Sequence, residues 1–237
     1  MIWQLVQPTM IMGVLIVGGT CSLGESVVDK LLSMDIDVIA KEKSHRVRNS
    51  TLLEYSSATL TTTGTGFSIS FDGSEADIII GKDLIIHDLL PTRDDRWLSP
   101  EIRDWIAGVS SDSQPRFWLS VIDAANAISH IAKAELKLDG IHMCGRREWS
   151  STDSRAEFDM LWNRTNQGIT GEFTAQTLFG HEIAGMEAVP INQVDAQRPD
   201  LNPLHELLLQ LTGDGWRPLI PFRTALMTLI AGVMDVK

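Results

Sequence analysis

A turn with three glycines and a cysteine is the first part of the chain whose residue types could do chemistry. Gly18, Gly19 and Gly24 lie between a short apolar run and a stretch with apolar residues at helical spacing. Glycines at a strand-to-helix turn let backbone N–H groups approach a phosphate, and the helix dipole favours the anion. The pattern therefore predicts a site for the pyrophosphate of a dinucleotide. It is equally typical of a tight turn that packs closely and binds nothing.

Cys21 stands where such a turn usually carries its middle glycine, so its Cβ would lie where the pyrophosphate approaches. With Thr20, Ser22 and Leu23 it completes the predicted cofactor-binding turn. A helix N-terminus lowers the pKa of a thiol, which would make this cysteine reactive. The alternative is a small buried side chain that fills space.

A charged segment follows the second predicted strand, Asp37 to Ala40. In dinucleotide-binding folds a carboxylate at this place binds the ribose hydroxyls of adenosine, whereas a basic residue accommodates the 2′-phosphate of NADP. Glu42 could serve NAD, and Lys41 could serve NADP. Because the neighbours Lys43, Arg46 and Arg48 are also basic, the segment favours NADP over NAD. A solvated charged loop remains the alternative.

The composition of the chain limits the classes of protein to which it can belong. The 237 residues are 43% hydrophobic and 22% charged, enough for one sizeable domain or one domain with a small appendage. The net charge of -11 repels phosphate backbones, so nucleic acid is not an expected partner. No apolar run reaches membrane-spanning length, and Met1 to Met12 lacks the basic region and cleavage site of a signal peptide. We expect a cytoplasmic protein that is not bound to a membrane.

No metal site is predicted. The two cysteines are too few for a disulfide framework or a zinc site by spacing. His181 and Glu182 do not form a zinc motif, because Gly185 stands where the second histidine would be. His142 and Cys144 lie two residues apart on a predicted strand and so share a face, an arrangement typical of a core pair.

The elements that position these residues alternate between strands and helices. Strands are predicted at Val14–Val17, Asp37–Ala40, Phe67–Phe71, Asp77–Ile80, Leu84–His87, Phe117–Ile122 and Gly140–Cys144. Helices are predicted at Leu23–Leu32, Pro100–Ile106, after Asp123 as the N-cap, and at Asp153–Trp162, Leu204–Leu211 and Thr224–Val233. Leu89 to Pro100 is predicted to be a loop.

This alternation predicts an α/β fold, a Rossmann-like doubly wound and mostly parallel sheet with a small C-terminal substrate-side region. Residues 1–140 would form the nucleotide-binding core. Residues 141–237 would form the smaller region packed on it.

Four segments carry a resemblance to a known family. Residues 14–32 (VLIVGGTCSLGESVVDKLL) resemble the opening of the extended short-chain dehydrogenase/reductase family, the nucleotide-sugar epimerases and dehydratases. Three later segments resemble the same family in the same order: LLPTRDDRWL (89–98), RFWLSVIDAANAI (116–128) and GWRPLIPFRTAL (215–226). The resemblance implies a Rossmann fold, NAD or NADP as cofactor and a small-molecule nucleotide ligand. It also implies that the loop after His87 and Asp88, which continues to Arg96, borders the substrate.

The chain departs from this family at its catalytic pair, a tyrosine with a lysine four residues later. The single tyrosine is Tyr55, and Thr59 stands four residues on, so the pair is absent. Too few residues separate the second strand from Pro91 for the family's middle strands and catalytic helix. These departures indicate a shortened member and argue against the family's redox mechanism.

Three functions stay open at this point. The first is an NAD(P)-binding protein without the catalytic pair, acting as a regulatory or partner subunit. The second is an active NAD(P)-dependent epimerase, dehydratase or reductase in which His87 or Asp88 serves as a substitute acid or base. The third is an interaction module that binds no ligand. Homodimerisation and association with a partner enzyme both stay open.

Overall fold

The computed structural model describes residues 13–109, 114–170 and 197–235, without the side chains of 167–170. The segment Met1–Met12 and the residues His181 and Glu182 lie outside the described residues. Among the residues that are described, no helix combines the length and the apolar character that crossing a membrane requires.

A parallel five-stranded sheet forms the centre of the molecule. Its strands are β1 (Val14–Val17), β2 (Val38–Ala40), β3 (Leu60–Thr61), β4 (Ser68–Ser70) and β5 (Ile78–Ile79). They are arranged in the order β3-β2-β1-β4-β5, and every pair is parallel. This order, in which the chain returns past β1 after β3, is that of the Rossmann fold. The predicted Rossmann-like α/β fold is therefore confirmed.

Two smaller parallel pairs lie beyond β5. One joins β6 (Leu84–Ile86) to β9 (Ile141–Met143), and the other joins β7 (Leu89–Leu90) to β8 (Leu119–Ser120). Residues 80–83 connect β5 directly to β6, with Gly81 in a left-handed conformation at φ 97°. A connection of this length has no room for the crossover helix that usually separates parallel strands.

Eight helices are described in the ranges given above: α1 Ser22–Ser33, α2 Lys43–Arg48, α3 Ser50–Tyr55, α4 Pro100–Ile106, α5 Val121–Lys133, α6 Ser151–Thr170, α7 Asn202–Thr212 and α8 Phe222–Met234. Among the described helices, α1 and α5 pack most extensively against each other. Leu23, Val27 and Leu31 lie on the buried face of α1 because they repeat at helical spacing.

Four local predictions are corrected by the structure. The predicted strand at Phe117–Ile122 is reduced to β8, because α5 already begins at Val121. Ser120 caps this helix through its hydroxyl, which accepts a hydrogen bond from the Ile122 N–H at 3.2 Å, so Asp123 is not the cap. The predicted loop at Leu89–Pro100 contains the strand β7. The charged segment after β2 forms the helix α2, and α3 follows it.

Two hydrophobic clusters hold the sheets and helices together. The first packs β1, α1 and α5 with Leu204, Leu208 and Trp216 from the C-terminal part of the chain. The second is rich in aromatic side chains and joins Trp105 and Trp118 to the residues Phe158 and Phe222. Each cluster thus draws on residues from both sides of the predicted boundary between 140 and 141. The division into two domains stays a prediction.

Candidate functional site

Backbone geometry and close packing explain the glycines of the turn between β1 and α1. Gly18 has a φ of 66°, in the left-handed region that favours glycine. A Cβ on Gly24 would lie 2.5 Å from the Cα of Gly19, which leaves no room for a side chain. The packing of the turn itself therefore requires glycine at these two positions, whether or not a ligand binds.

Cys21 is the N-cap residue of α1 and is buried. Its Sγ accepts hydrogen bonds from the Gly24 N–H at 3.5 Å and from the indole Nε1 of Trp97 at 3.3 Å. The guanidinium of Arg96 donates to the same sulfur at 3.5 Å. Sulfur is a weak acceptor, so these contacts make a poor cap for the helix. Only 8% of the residue is exposed, which favours the interpretation of Cys21 as a buried filler.

Residues 92–97, here called the Asp95 loop, cover the first turn of α1. The backbone N–H of Ser22 donates to Asp95 Oδ2 at 2.6 Å, and the N–H of Trp97 donates to Asp95 Oδ1 at 2.9 Å. The carboxylate of Asp95 therefore occupies the anion-binding end of the helix. Ser22 and Leu23, both predicted cofactor contacts, are buried, Leu23 within the hydrophobic core.

A chain of ion pairs links the Asp95 loop to α2. Arg93 binds Glu25 with both terminal nitrogens, at 2.5 and 2.9 Å, and also donates to the carbonyl oxygen of Thr20 at 2.7 Å. The same carboxylate of Glu25 lies 3.5 Å from Arg48, which pairs with Asp29 at 2.8 Å. Hydrogen bonds to these carboxylates raise the pKa values of both arginines. Arg48 is therefore engaged and is not available to a 2′-phosphate.

Unpartnered polar atoms cluster at the other end of the turn. His45 on α2 is 1% exposed, and neither ring nitrogen has a hydrogen-bond partner among the described residues. Oε2 of Glu42, the residue that precedes α2, is also buried without such a partner and lies 3.9 Å from His45 Nε2. A Cβ built on Gly19 would lie 3.3 Å from the same nitrogen, so His45 borders the turn. Buried polar atoms normally have a partner in the protein or in ordered water, so these atoms are candidates for contact with a ligand.

Burial lowers the pKa of His45, against the attraction of Glu42 and Glu25, which raises it. The imidazole is therefore neutral at pH 7 and offers one donor and one acceptor. Sequence reasoning missed this residue and found only its neighbours. The available signal was its spacing: His45 follows Glu42 by three residues, which places both side chains on one face of a helix. Lys41, which follows β2, is exposed.

A separate cavity of about 520 Å³ opens at the carboxyl ends of β6 and β9. Its polar lining comes mainly from His87, Asp88 and Arg116. Asp88 has a φ of 51°, which is unusual for a residue other than glycine and is held by two contacts. Its carboxylate accepts from the Phe117 N–H at 2.8 Å and pairs with Arg116 at 3.2 Å, while Arg116 also pairs with Glu101 at 3.1 Å.

The two histidines of this region are hydrogen-bonded to each other. His87 Nε2 lies 2.8 Å from His142 Nδ1. Burial and the nearby His142 lower the pKa of His87, so the His87 imidazole is uncharged at neutral pH. Burial raises the pKa of Cys144 to about 12, which keeps it a thiol. The predicted core pair is thus divided: Cys144 is buried, whereas His142 forms a polar pair with His87.

The structure thus brings the predicted residues together in two groups. Gly18 to Gly24 and Glu42 surround one end of β1, and His87 and Asp88 line the separate cavity. Tyr55 lies on α3 with 85% of its surface exposed. In the described parts of the chain, no group of three or more histidine, cysteine, aspartate or glutamate side chains could hold a metal ion.

The strand order and the glycine turn define a protein of the Rossmann-type α/β class. No protein-family model matches the sequence, and no curated protein matches it. Among solved structures, the chain is similar to the Bordetella bronchiseptica enzyme WbmF in complex with NADH, with 11% sequence identity and a TM-score of 0.49 over 94% of this chain and 91% of that chain. The complex of WbmF with NAD+ and UDP gives 12% identity and a TM-score of 0.43, over 95% and 93% of the two chains.

Proposed function

We propose that the chain is an NAD(P)-binding protein, a shortened relative of the extended short-chain dehydrogenases that works without their catalytic pair, as a regulatory or partner subunit. The observation that carries this proposal is the buried, unpartnered imidazole of His45 beside the unpartnered Oε2 of Glu42. Both lie next to the glycine turn at the carboxyl end of the sheet, where Rossmann folds bind the adenosine ribose. Ribose hydroxyls would supply the partners that these atoms lack.

The same geometry bears on the choice of cofactor. A carboxylate accepts hydrogen bonds from the 2′- and 3′-hydroxyls of NAD and repels the 2′-phosphate of NADP. Glu42 therefore supports NAD, while the exposed Lys41, Lys43 and Arg46 support the NADP preference that the sequence predicts. Because Glu42 is the residue with a buried atom in need of a partner, we expect NAD to bind more tightly.

The test is a calorimetric titration of the full chain with NAD, NADH, NADP and NADPH. Replacing Glu42 by glutamine should weaken NAD binding about tenfold, the effect of losing one hydrogen bond to a charged group. The matched control is Glu54→Gln, which makes the same change at an exposed position on α3. Equal affinities for the two variants would contradict the proposed ribose site. Absence of binding of all four nucleotides at millimolar concentration would favour the interaction module instead.

The His87–His142 pair favours a second candidate function, an enzyme with a substitute acid and base. The pair lies at a cavity whose volume is in the range of small-molecule sites, beside a strained aspartate. A proton can pass between the two facing nitrogens, because either imidazole can be the donor. His87 would therefore give a proton to a substrate oxygen or take one from it, with His142 as its partner.

This candidate is tested by incubating the protein with NAD and nucleotide sugars and following turnover by NMR. His87→Asn should abolish turnover. The control His130→Asn changes a half-buried histidine on α5 that does not line this cavity, and it should leave turnover unchanged. Activity that survives in His87→Asn would remove the pair from the mechanism.

A further inference from the structure

The Asp95 loop places a carboxylate where a dinucleotide would place its pyrophosphate. In a Rossmann fold the pyrophosphate accepts hydrogen bonds from the N–H groups at the start of the first helix. In this structure the N–H of Ser22 is already bound to Asp95 Oδ2 at 2.6 Å. A single N–H cannot fully serve both anions, so the carboxylate and a pyrophosphate compete for one position.

Several contacts besides Asp95 fasten this loop to the turn. Arg93 binds Glu25 and the carbonyl oxygen of Thr20, and Arg96 donates to the carbonyl oxygen of Phe71 at the end of β4. The indole of Trp97 donates to Cys21 Sγ at 3.3 Å. The loop therefore covers the cap residue, the first turn of α1 and the neighbouring strand end together. Movement of the loop would uncover all three.

The contacts also account for the cysteine in the turn. A cysteine is a poor N-cap, and it stands where such turns usually carry their middle glycine. With the loop in place, the sulfur packs against Trp97 and Arg96, and the carboxylate of Asp95 supplies the anion that the helix end favours. The turn is thus complete without a ligand.

We infer that the Asp95 loop is an internal competitor of the cofactor: it closes the phosphate end of the nucleotide site, and a nucleotide binds there only in molecules whose loop has left α1. This inference rests on the proposed NAD(P) site. The apparent dissociation constant then equals the intrinsic constant divided by the fraction of molecules with an open loop. Removing the carboxylate of Asp95 raises that fraction and tightens binding.

The experiment compares Asp95→Ala with Asp94→Ala by calorimetry, using NAD and, separately, inorganic pyrophosphate. Asp94 is a matched control because it lies in the same loop and carries the same charge, yet its carboxylate is exposed and pairs with Arg103 instead of α1. Asp95→Ala should bind both probes at least about tenfold more tightly than the wild type, as expected if the loop is open in about one molecule in ten or fewer. Asp94→Ala should bind like the wild type.

A second measurement uses the unchanged protein, in case Asp95→Ala fails to fold. Saturating NAD or pyrophosphate should increase amide hydrogen exchange in the peptide that covers the Asp95 loop, because the loop must leave α1. Unchanged or slower exchange there with ligand bound would overturn the inference.

The two probes separate this inference from the proposed function. If pyrophosphate binding tightens in Asp95→Ala while NAD does not bind to any variant, the loop competes as inferred and the cofactor proposal fails. If NAD binds equally well to Asp95→Ala, Asp94→Ala and the wild type, the cofactor proposal stands and the inference about the loop fails. Equal pyrophosphate affinities of the two variants also overturn the inference.

Discussion

At the scale of single residues, Asp123 shows how one buried carboxylate fixes a distant segment. Its two oxygens accept hydrogen bonds from the backbone N–H groups of Leu219 and Ile220, at 3.0 and 2.9 Å. Burial raises the pKa of Asp123, and the two N–H groups act in the opposite direction. The aspartate therefore ties the start of α5 to the chain just before α8.

Replacing Asp123 by alanine should lower the free energy of unfolding by about 2 kcal/mol, because two partly buried N–H groups lose their acceptor. Urea unfolding followed by circular dichroism measures this change. The exposed Asp139, replaced in the same way, should change the free energy by less than about 0.5 kcal/mol. A similar loss in both variants would mean that Asp123 contributes only its charge.

Cys144 supports a second prediction at this scale. The residue is fully buried and its pKa is raised to about 12 by burial, so it is a thiol at any ordinary pH. Iodoacetamide should leave Cys144 unmodified in the native protein at pH 8 and should modify it in guanidinium chloride, as read by mass spectrometry of the peptide. Rapid native labelling would show that the region around β9 opens.

At the scale of elements, Asp77 links the starts of two neighbouring strands, β4 and β5. Its Oδ2 accepts from both the hydroxyl and the N–H of Ser68, at 2.8 and 3.0 Å, and so joins the start of β5 to the start of β4. These two hydrogen bonds, with a smaller effect of Lys137, lower the pKa of Asp77 from 3.8 to about 2. The charged form of Asp77 thus stabilises the folded state.

Asp77→Asn should remove a pH-dependent part of the stability. Because the folded-state pKa lies below the unfolded value, the contribution of Asp77 is complete above about pH 4 and is lost as the pH falls towards 2. Wild type should therefore lose about 1 kcal/mol more than Asp77→Asn over that range. Thermal unfolding between pH 2 and 5 measures the difference, and parallel curves for the two proteins would contradict it.

The sequence predicts the strands and helices well where each one carries its own pattern of apolar residues. Val14–Val17 and the apolar face of α1 follow from a continuous apolar run and from helical spacing. The sequence predicts poorly where contacts between residues far apart along the chain determine the structure. The contact between Asp95 and Ser22 spans 73 residues, and nothing in either segment alone indicates it. His45 was overlooked because its burial depends on packing against the turn, which its charged neighbours conceal.

At the scale of the whole molecule, the two hydrophobic clusters make the halves of the chain depend on each other. Leu204, Leu208 and Trp216 complete the first cluster, and Phe158 and Phe222 complete the second. β9 is also the only partner described for β6 in its sheet. Removing the chain after residue 140 would expose apolar surface in both clusters at once.

We therefore expect residues 1–140 expressed alone to lack a cooperative thermal transition, whereas the full chain unfolds in one. Circular dichroism and the fluorescence of the seven tryptophans should give the same midpoint for the full chain. Two separated transitions, or a cooperative transition in the fragment, would contradict this expectation and show that the predicted core folds without the C-terminal region.

The carboxylate of Glu25 is shared by two arginines that belong to opposite ends of the proposed site, Arg93 in the Asp95 loop and Arg48 on the helix that carries His45. A ligand that binds at one end of the site therefore changes the electrostatic surroundings of the other end. Thermodynamic linkage makes that effect mutual: the factor by which bound adenosine alters the affinity for an anion at α1 is the factor by which the anion alters the affinity for adenosine. Adenosine and pyrophosphate offered as separate molecules would then each change the affinity of the other by that same factor.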